Sequence, residues 1–365
     1  MIEQRFSATR LKGRGTAWQV PQRFRRDDRE AFDDGWAGLE IVAAEQDEAA
    51  APATDVIWED ARSAITRNQS PDIGFTLGLN PYRGCEHGCA YCYARPSHSY
   101  LGLSPGLDFE TKIIAKRNIA TVLRRELMRP GYAPDLLAIG TVTDAYQPVE
   151  RELQLTRQVL AVLSAAQHPL AMVTKGSGVE RDLDLLGPMG QQGLAAVYVT
   201  ITTLDAGLAR ILEPRAAAPH RRLRTIRTLA EAGVPVGVSV SPQIPFLNED
   251  MEQVLQAAAE AGATRAFYQV LRLPWELRPL FRQWLMDHVP DRAERIMSRV
   301  QDLHGGQDYR ADFATRMKGQ GIWSDLIRQR FRKACQRLGM DGERQPLDLG
   351  RFRPSALQAQ GDLFD

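Results

Sequence analysis

Three of the chain's four cysteines fall within eight residues, in the run Cys85-Glu86-His87-Gly88-Cys89-Ala90-Tyr91-Cys92, a Cys-x3-Cys-x2-Cys spacing. The chain opens Met1-Ile2-Glu3-Gln4-Arg5 with no apolar leader, so these thiols read as metal ligands of a reducing, cytoplasmic compartment before they read as disulfides. A closed zinc site normally takes four protein ligands, whereas three thiolates leave a position open. A [4Fe-4S] cube held by three thiolates keeps one iron free to bind something else, and iron suits soft ligands. Two other readings stand beside it: His87 could complete a zinc site, or the cysteines could simply pack in a core. Cys335 lies on the stripe Ile327, Phe331, Ala334, Cys335, Leu338 of a C-terminal helix, which makes it a core residue rather than a ligand.

Ligands on so short a loop need a scaffold, and residues 70–272 supply a βα repeat. Apolar, β-branched runs at 73–79, 136–141, 170–174, 196–202, 234–240 and 265–271 show little alternation, as expected of parallel strands covered on both faces. Helical patterns at 118–128, 150–167, 179–191, 220–232 and 248–261 lie between them. Six strands with five helices predict an α/β fold, a partial (β/α)6 barrel, since a full eightfold barrel needs more units. The cysteine run follows the first strand. Past Leu273 the pattern is helical, with Pro274, Pro279 and Pro290 as punctuation and a last helix opening at Ser324. The expected organisation is a flexible charged N-terminal arm at 1–69, the barrel at 70–273, a helical C-terminal extension at 274–340 and a tail at 341–365.

The 365 residues carry 46 Lys plus Arg against 45 Asp plus Glu, and 44% are apolar, enough for a large core. No apolar run approaches the ~20 residues that cross a bilayer, so a membrane-spanning chain is excluded. The near-zero net charge conceals blocks: residues 1–26 hold seven bases and one acid, and residues 27–60 hold twelve acids and one base. Residues 265–340 hold fifteen bases and eight acids, where a polyanion could bind or where helix faces are simply solvated. The acidic arm is expected to lie over that basic face when no polyanion is present.

The cysteine spacing, with Tyr91 before the last cysteine, resembles the radical S-adenosylmethionine (SAM) superfamily. Further segments are similar to its spore photoproduct lyase-like (DNA repair photolyase-related) branch. They are Asn80-Pro81-Tyr82-Arg83-Gly84, Tyr93-Ala94-Arg95-Pro96, Gly140-Thr141-Val142-Thr143-Asp144-Ala145-Tyr146-Gln147-Pro148-Val149-Glu150, Thr174-Lys175-Gly176-Ser177 with Arg181-Asp182, Ile201-Thr202-Thr203-Leu204-Asp205, Glu213-Pro214 and Pro242-Gln243-Ile244-Pro245-Phe246-Leu247-Asn248. The resemblance implies a radical SAM barrel in which Cys85, Cys89 and Cys92 hold a [4Fe-4S] cluster whose open iron chelates SAM. It also implies SAM contacts at Tyr91, Thr143, Asp144 and Lys175, with Thr200 a further polar contact at a strand end. Thr143 and Asp144 could instead cap the following helix, and Lys175 could be a solvated loop residue.

The chemistry so implied is reductive cleavage of SAM to a 5′-deoxyadenosyl radical, fed by a reductant such as flavodoxin or ferredoxin. A DNA or RNA substrate is expected, for repair of the lyase kind or for modification. Radical modification of a protein or small molecule, and a non-enzymatic iron–sulfur redox sensor, are the alternatives. One departure is plain: the lyase carries a hydrogen-returning cysteine where this chain has Thr141, and an alcohol cannot replace a thiol in that role. No catalytic residue is assigned in its place. The terminal Gln360-Gly361-Asp362-Leu363-Phe364-Asp365 resembles the short peptide by which bacterial proteins dock on the DNA sliding clamp, through Gln360, Leu363 and Phe364.

Overall fold

A computed structural model describes residues 13–24, 53–342 and 346–358. Its strands are β1 (Asp55–Glu59), β2 (Thr66–Arg67), β3 (Leu77–Leu79), β4 (Tyr82–Arg83), β5 (Lys112–Lys116), β6 (Leu137–Ile139), β7 (Leu170–Thr174), β8 (Ala195–Thr200), β9 (Val236–Ser239) and β10 (Arg265–Phe267). The helices that matter to the site are α1 (Ile119–Leu127), α2 (Leu155–Ala165), α3 (Leu183–Gln191), α4 (Ala206–Leu212), α5 (Pro219–Glu231) and α6 (Met251–Glu260), followed by α7 (Leu277–His288), α8 (Pro290–Leu303) and α9 (Gly321–Leu338).

Six strands run parallel in the order β10-β9-β8-β7-β6-β3, and β2 pairs antiparallel on the outer edge of β3. The sheet has two free edges, so the expected six-unit open barrel is what forms. Its strands bury small and branched residues such as Leu79, Ile139, Val197, Val199 and Val238. A second core lies between the cysteine loop and the C-terminal helices, joining Val20, Cys89, Ala90 and Tyr91 to Leu271, Phe281, Trp284 and Ile296. No helix among the described residues is long and apolar enough to cross a membrane.

Several expectations need correction. The arm assigned to residues 1–69 is folded in part: residues 13–24 lie against the cysteine loop, and β1 and β2 pair with β5 and β3. The charge blocks concealed this, because the few residues that anchor each piece are scattered among charged ones. The first strand begins at Leu77 rather than 73, and the last stops at Phe267 rather than 271. Beyond Phe267 the chain keeps only a bridge from Val270 to Gln243, and the Val270 N–H turns to the Met317 carbonyl. The helix expected at 150–167 is interrupted at Gln154, whose φ of 51° separates a short turn from α2. The last helix opens at Gly321, and the Ser324 hydroxyl instead donates to the Lys318 carbonyl. The acidic arm's docking falls mostly on residues 27–52, outside the described residues.

The C-terminal residues 346–358 return to the opposite end of the sheet from the cysteine loop. There the Asp348 N–H reaches the Gly193 carbonyl and the Arg353 N–H the Ala166 carbonyl. Phe352 stands edge-on to the buried His168 ring, 5.2 Å between centroids. His168 is held neutral: Nδ1 donates to the Pro169 carbonyl and Nε2 accepts from the Tyr132 hydroxyl at 2.8 Å. Burial pushes its pKa down to about 4, and His98 to about 4 for the same reason. The unfolded imidazoles take protons below the ordinary value of 6.5 while the folded ones do not. Stability is therefore full above pH ~6.5 and falls as pH drops toward ~4, by on the order of 2–3 kcal/mol per residue. Urea midpoints measured across this range should fall accordingly, and His168→Gln should shrink the slope; a flat wild-type profile would contradict the assignment.

Candidate active site

The cysteine loop starts at Gly84, whose φ of 81° no side chain adopts easily and where an added Cβ would lie 2.9 Å from the His98 ring. Cys85 and Cys89 are buried, and Cys92 is half-buried. The loop makes few strand bonds, so its carbonyls need other donors. Arg95, fully buried, supplies them: Nε donates to the Cys89 carbonyl at 2.8 Å, Nη2 to that of Gly88 at 3.0 Å and Nη1 to that of Gly106 at 2.9 Å. Its charge is met by Glu110, also fully buried. Burial pushes the Glu110 carboxyl up, against the pull of Arg95, and its second oxygen accepts the Gly15 N–H at 2.8 Å.

On the barrel side, Gln147 ties loop to sheet. Its Oε1 accepts the Glu86 N–H at 2.9 Å, and its Nε2 donates to the Gly84 carbonyl and to the Thr143 hydroxyl, both at 3.3 Å. Glu86, nearly buried, accepts from the Thr54 hydroxyl, the Val149 N–H and Arg215. Asp144 receives the Tyr146 N–H, the Thr174 hydroxyl and the Lys175 N–H, with His87 Nδ1 at 3.3 Å. Burial would raise its carboxyl, but His87 and these donors overcome it and hold it well below the carboxylate range. Asp144 therefore acts as a brace for the loops after β6 and β7.

A second buried charge pair stands behind Cys89. Glu213 accepts from Arg222, from the Thr202 hydroxyl at 2.6 Å and from the Tyr91 hydroxyl. Burial raises Glu213, yet Arg222 and Lys175 bring it down to about 2. Arg222 also donates to the Thr200 carbonyl at 2.9 Å. Tyr91 thus spends its hydroxyl inside the protein. The Thr200 hydroxyl has no hydrogen-bond partner among the described residues. The Lys175 ammonium sits 5.8 Å from the Tyr91 ring centroid and has no ion-pair partner among them. Burial lowers its pKa, and the nearby Cys89, Glu213 and Asp144 more than reverse that, so it stays charged.

The donor set fits a cluster rather than one ion. No three His, Cys, Asp or Glu side chains among the described residues converge as ligands of a single metal, and His87 faces Asp144. A cube spreads its thiolates over separate irons, which three thiols on one loop can supply. Burial, then the nearby Asp144 and the other thiols, push Cys85 up, and burial pushes Cys89 up to about 12, so loading must displace thiol protons. Cys335 is buried between α9 and the sheet, far from this loop in the other core.

Sequence reading brought Cys85, Cys89, Cys92, Tyr91, Thr143, Asp144, Lys175 and Thr200 to one end of the sheet, and the fold keeps them there. It assigned no role to Arg95, Glu110, Gln147, Glu213 or Arg222. Arg95, Gln147 and Glu213 lie within the segments singled out by resemblance, a signal present but unread. Arg222 lies in a helix whose other arginines are half-buried or exposed, and nothing local marks it as buried.

Residues 79–258 match the family model described as the Radical SAM superfamily. An uncharacterized protein of Mycobacterium tuberculosis is 34% identical over 277 residues, 75% of this chain and 78% of the relative. An uncharacterized protein of Methanocaldococcus jannaschii is 25% identical over 246 residues, 67% of this chain and 88% of the relative. Among solved structures, a spore photoproduct lyase mutant with bound AdoMet and dinucleoside spore photoproduct shares the fold at TM-score 0.51 and 15% identity, covering 78% of this chain and 79% of that one.

Anaerobic reconstitution of Cys335→Ser should give wild-type iron and sulfide, whereas Cys85→Ser, Cys89→Ser and Cys92→Ser should each lose most of both. Arg95→Met strands the Glu110 charge and should cost about 3–5 kcal/mol of stability by urea unfolding. Iron loss in Cys335→Ser, or an unchanged urea midpoint in Arg95→Met, would contradict this description.

Proposed function

The chain belongs to the radical SAM superfamily, and from that membership we propose that Cys85, Cys89 and Cys92 bind a [4Fe-4S] cluster in an enzyme that acts on nucleic acid. Superfamily members use such a cluster with SAM, which together supply a 5′-deoxyadenosyl radical able to abstract hydrogen. The observation that carries the reading is the Lys175 ammonium, charged, half-buried and without an ion-pair partner among the described residues of a site lined by thiols. It is placed to take a carboxylate such as that of SAM. Thr143 and Thr200 belong to the βα units on either side of the one that carries Lys175. Asp144 and Tyr91 serve by positioning: one braces the loop that presents Lys175, the other carries its ring beneath the ammonium. The second core keeps water from the cysteine loop.

Nucleic acid as substrate is supported by the lyase fold, seen with a dinucleoside photoproduct in a structural neighbour, and by the basic balance of residues 265–340. The hydrogen-returning step differs from the lyase's, because Thr141 has no thiol. A reductant such as flavodoxin or ferredoxin delivers the electron. Clamp docking through Gln360, Leu363 and Phe364 lies outside the described residues. The segment before it ends at the face opposite the cysteine loop, which leaves the site open while the tail is held.

Reconstituted protein given SAM and a one-electron reductant should release 5′-deoxyadenosine, faster with DNA or RNA present. Lys175→Ala should keep its iron and raise the KM for SAM about 10- to 100-fold, the loss expected for one charged hydrogen bond. An unchanged KM would remove Lys175 from the site, and SAM cleavage indifferent to every nucleic acid tried would remove the substrate assignment.

A further inference from the structure

The two free edges of the open sheet are brought together outside the strands. Asp72, in the loop between β2 and β3, receives Nε and Nη2 of Arg316 at 2.6 and 2.8 Å, and Arg316 comes from the segment between α8 and α9. That segment also covers the β10 side, where Met317 takes the Val270 N–H. Arg272, just beyond β10, faces the same Asp72 carboxylate and helps hold it in its charged form. Each arginine lies over an aromatic ring: Arg272 is 3.9 Å from the Tyr93 centroid, and Arg316 is 4.6 Å from that of Phe313. The rings remain open to solvent, Tyr93 at 41% and Phe313 at 48%. Tyr93 follows Cys92 directly, and its hydroxyl donates to the Thr141 carbonyl at the end of the β6 unit. The arrangement is thus a ledge of two arginine-backed rings, joined through one carboxylate and running along the sheet's lateral gap to the cysteine loop.

We propose that this ledge, Tyr93–Arg272 and Phe313–Arg316 about Asp72, binds a single strand of nucleic acid and leads it to the site. The inference rests on the nucleic-acid reading above and specifies the form of the substrate. Exposed rings offer stacking faces to unpaired bases, and Arg272 offers its charge to the phosphates between them, while Arg316 is spent on Asp72 and holds the ledge together. Arg272 makes no ion pair among the described residues, and two cations share one acid, so the ledge carries excess positive charge. A duplex, with its bases stacked inside, cannot use the rings. A protein strand would use backbone donors and acceptors, which the ledge does not offer.

The test is fluorescence anisotropy of the full-length reconstituted protein with a labelled 12-nucleotide single strand and the corresponding duplex, across a salt series. The single strand should bind more tightly than the duplex. Phe313→Leu, which spares the Asp72–Arg316 pair, should weaken single-strand binding about fivefold or more. Arg272→Gln should reduce the slope of log affinity against log salt by about 0.7. Trp58→Leu removes an exposed ring under Arg117 in the other sheet and should leave binding unchanged. Single-strand binding that survives both ledge variants would overturn the ledge while leaving a nucleic-acid substrate in place. Failure of the wild type to bind any oligonucleotide would overturn both. Binding of a poly-glutamate peptide that is lost in Phe313→Leu, with oligonucleotides inert, would assign the ledge to protein instead.

Discussion

The buried contact between Arg95 and the carbonyls of the cysteine loop is the constraint from which the site is built. Eight residues that carry three thiols on one tight loop cannot also form a regular ladder, and a buried carbonyl without a donor costs a few kcal/mol. One guanidinium meets the carbonyls of Gly88 and Cys89 together with that of Gly106. A cation so placed demands a carboxylate, which is Glu110, and the spare oxygen of Glu110 demands a donor, which is the Gly15 N–H. That last contact requires residue 15 to be glycine, because a Cβ there would lie 1.6 Å from the Gly88 oxygen. A short stretch near the N-terminus is thereby fixed by the electrostatics of a loop seventy residues away.

The same logic recurs on the barrel side with a different result. Glu86 with Arg215 and Glu213 with Arg222 are neutral pairs, and Asp144 has its donors close by. Charge in this part of the wall is therefore committed, and Lys175 stands among it without an ion pair from the described residues. Buried ion pairs contribute little net stability, but removing one partner is costly. Their service here is to define where the remaining positive charge is, and to keep the ring of Tyr91 and the hydroxyl of Thr143 from moving.

Much of this was legible in one dimension. Cysteine spacing, strand-like runs and intervening amphipathic helices led to the open six-unit barrel and to the end of it that carries the cysteine loop. Strand ends were overextended at 73 and 271, since an apolar run continues past the point where a neighbour is available to pair. The brace residues were not legible. Arg95 and Arg222 look like any other arginine in a chain with 46 basic residues, and only the fold turns these two inward. The N-terminal arm misled for the opposite reason, because its anchors are a backbone N–H at Gly15, an apolar side chain at Val20 and the guanidiniums of Arg14 and Arg23, which look in sequence like part of a solvated basic block.

The pair between Asp72 and Arg316 joins residues 244 apart, and the contact from Arg23 to Glu276 joins residues 253 apart. The cysteine loop is made well before Glu276 and Arg316. The groups that close the lateral gap and clamp the N-terminal segment are thus far from their partners in sequence, and such distant pairings form late. A chain without its C-terminal helices therefore has the cysteine loop and its Arg95–Glu110 brace but neither the pair that closes the lateral gap nor the clamp on the N-terminal segment.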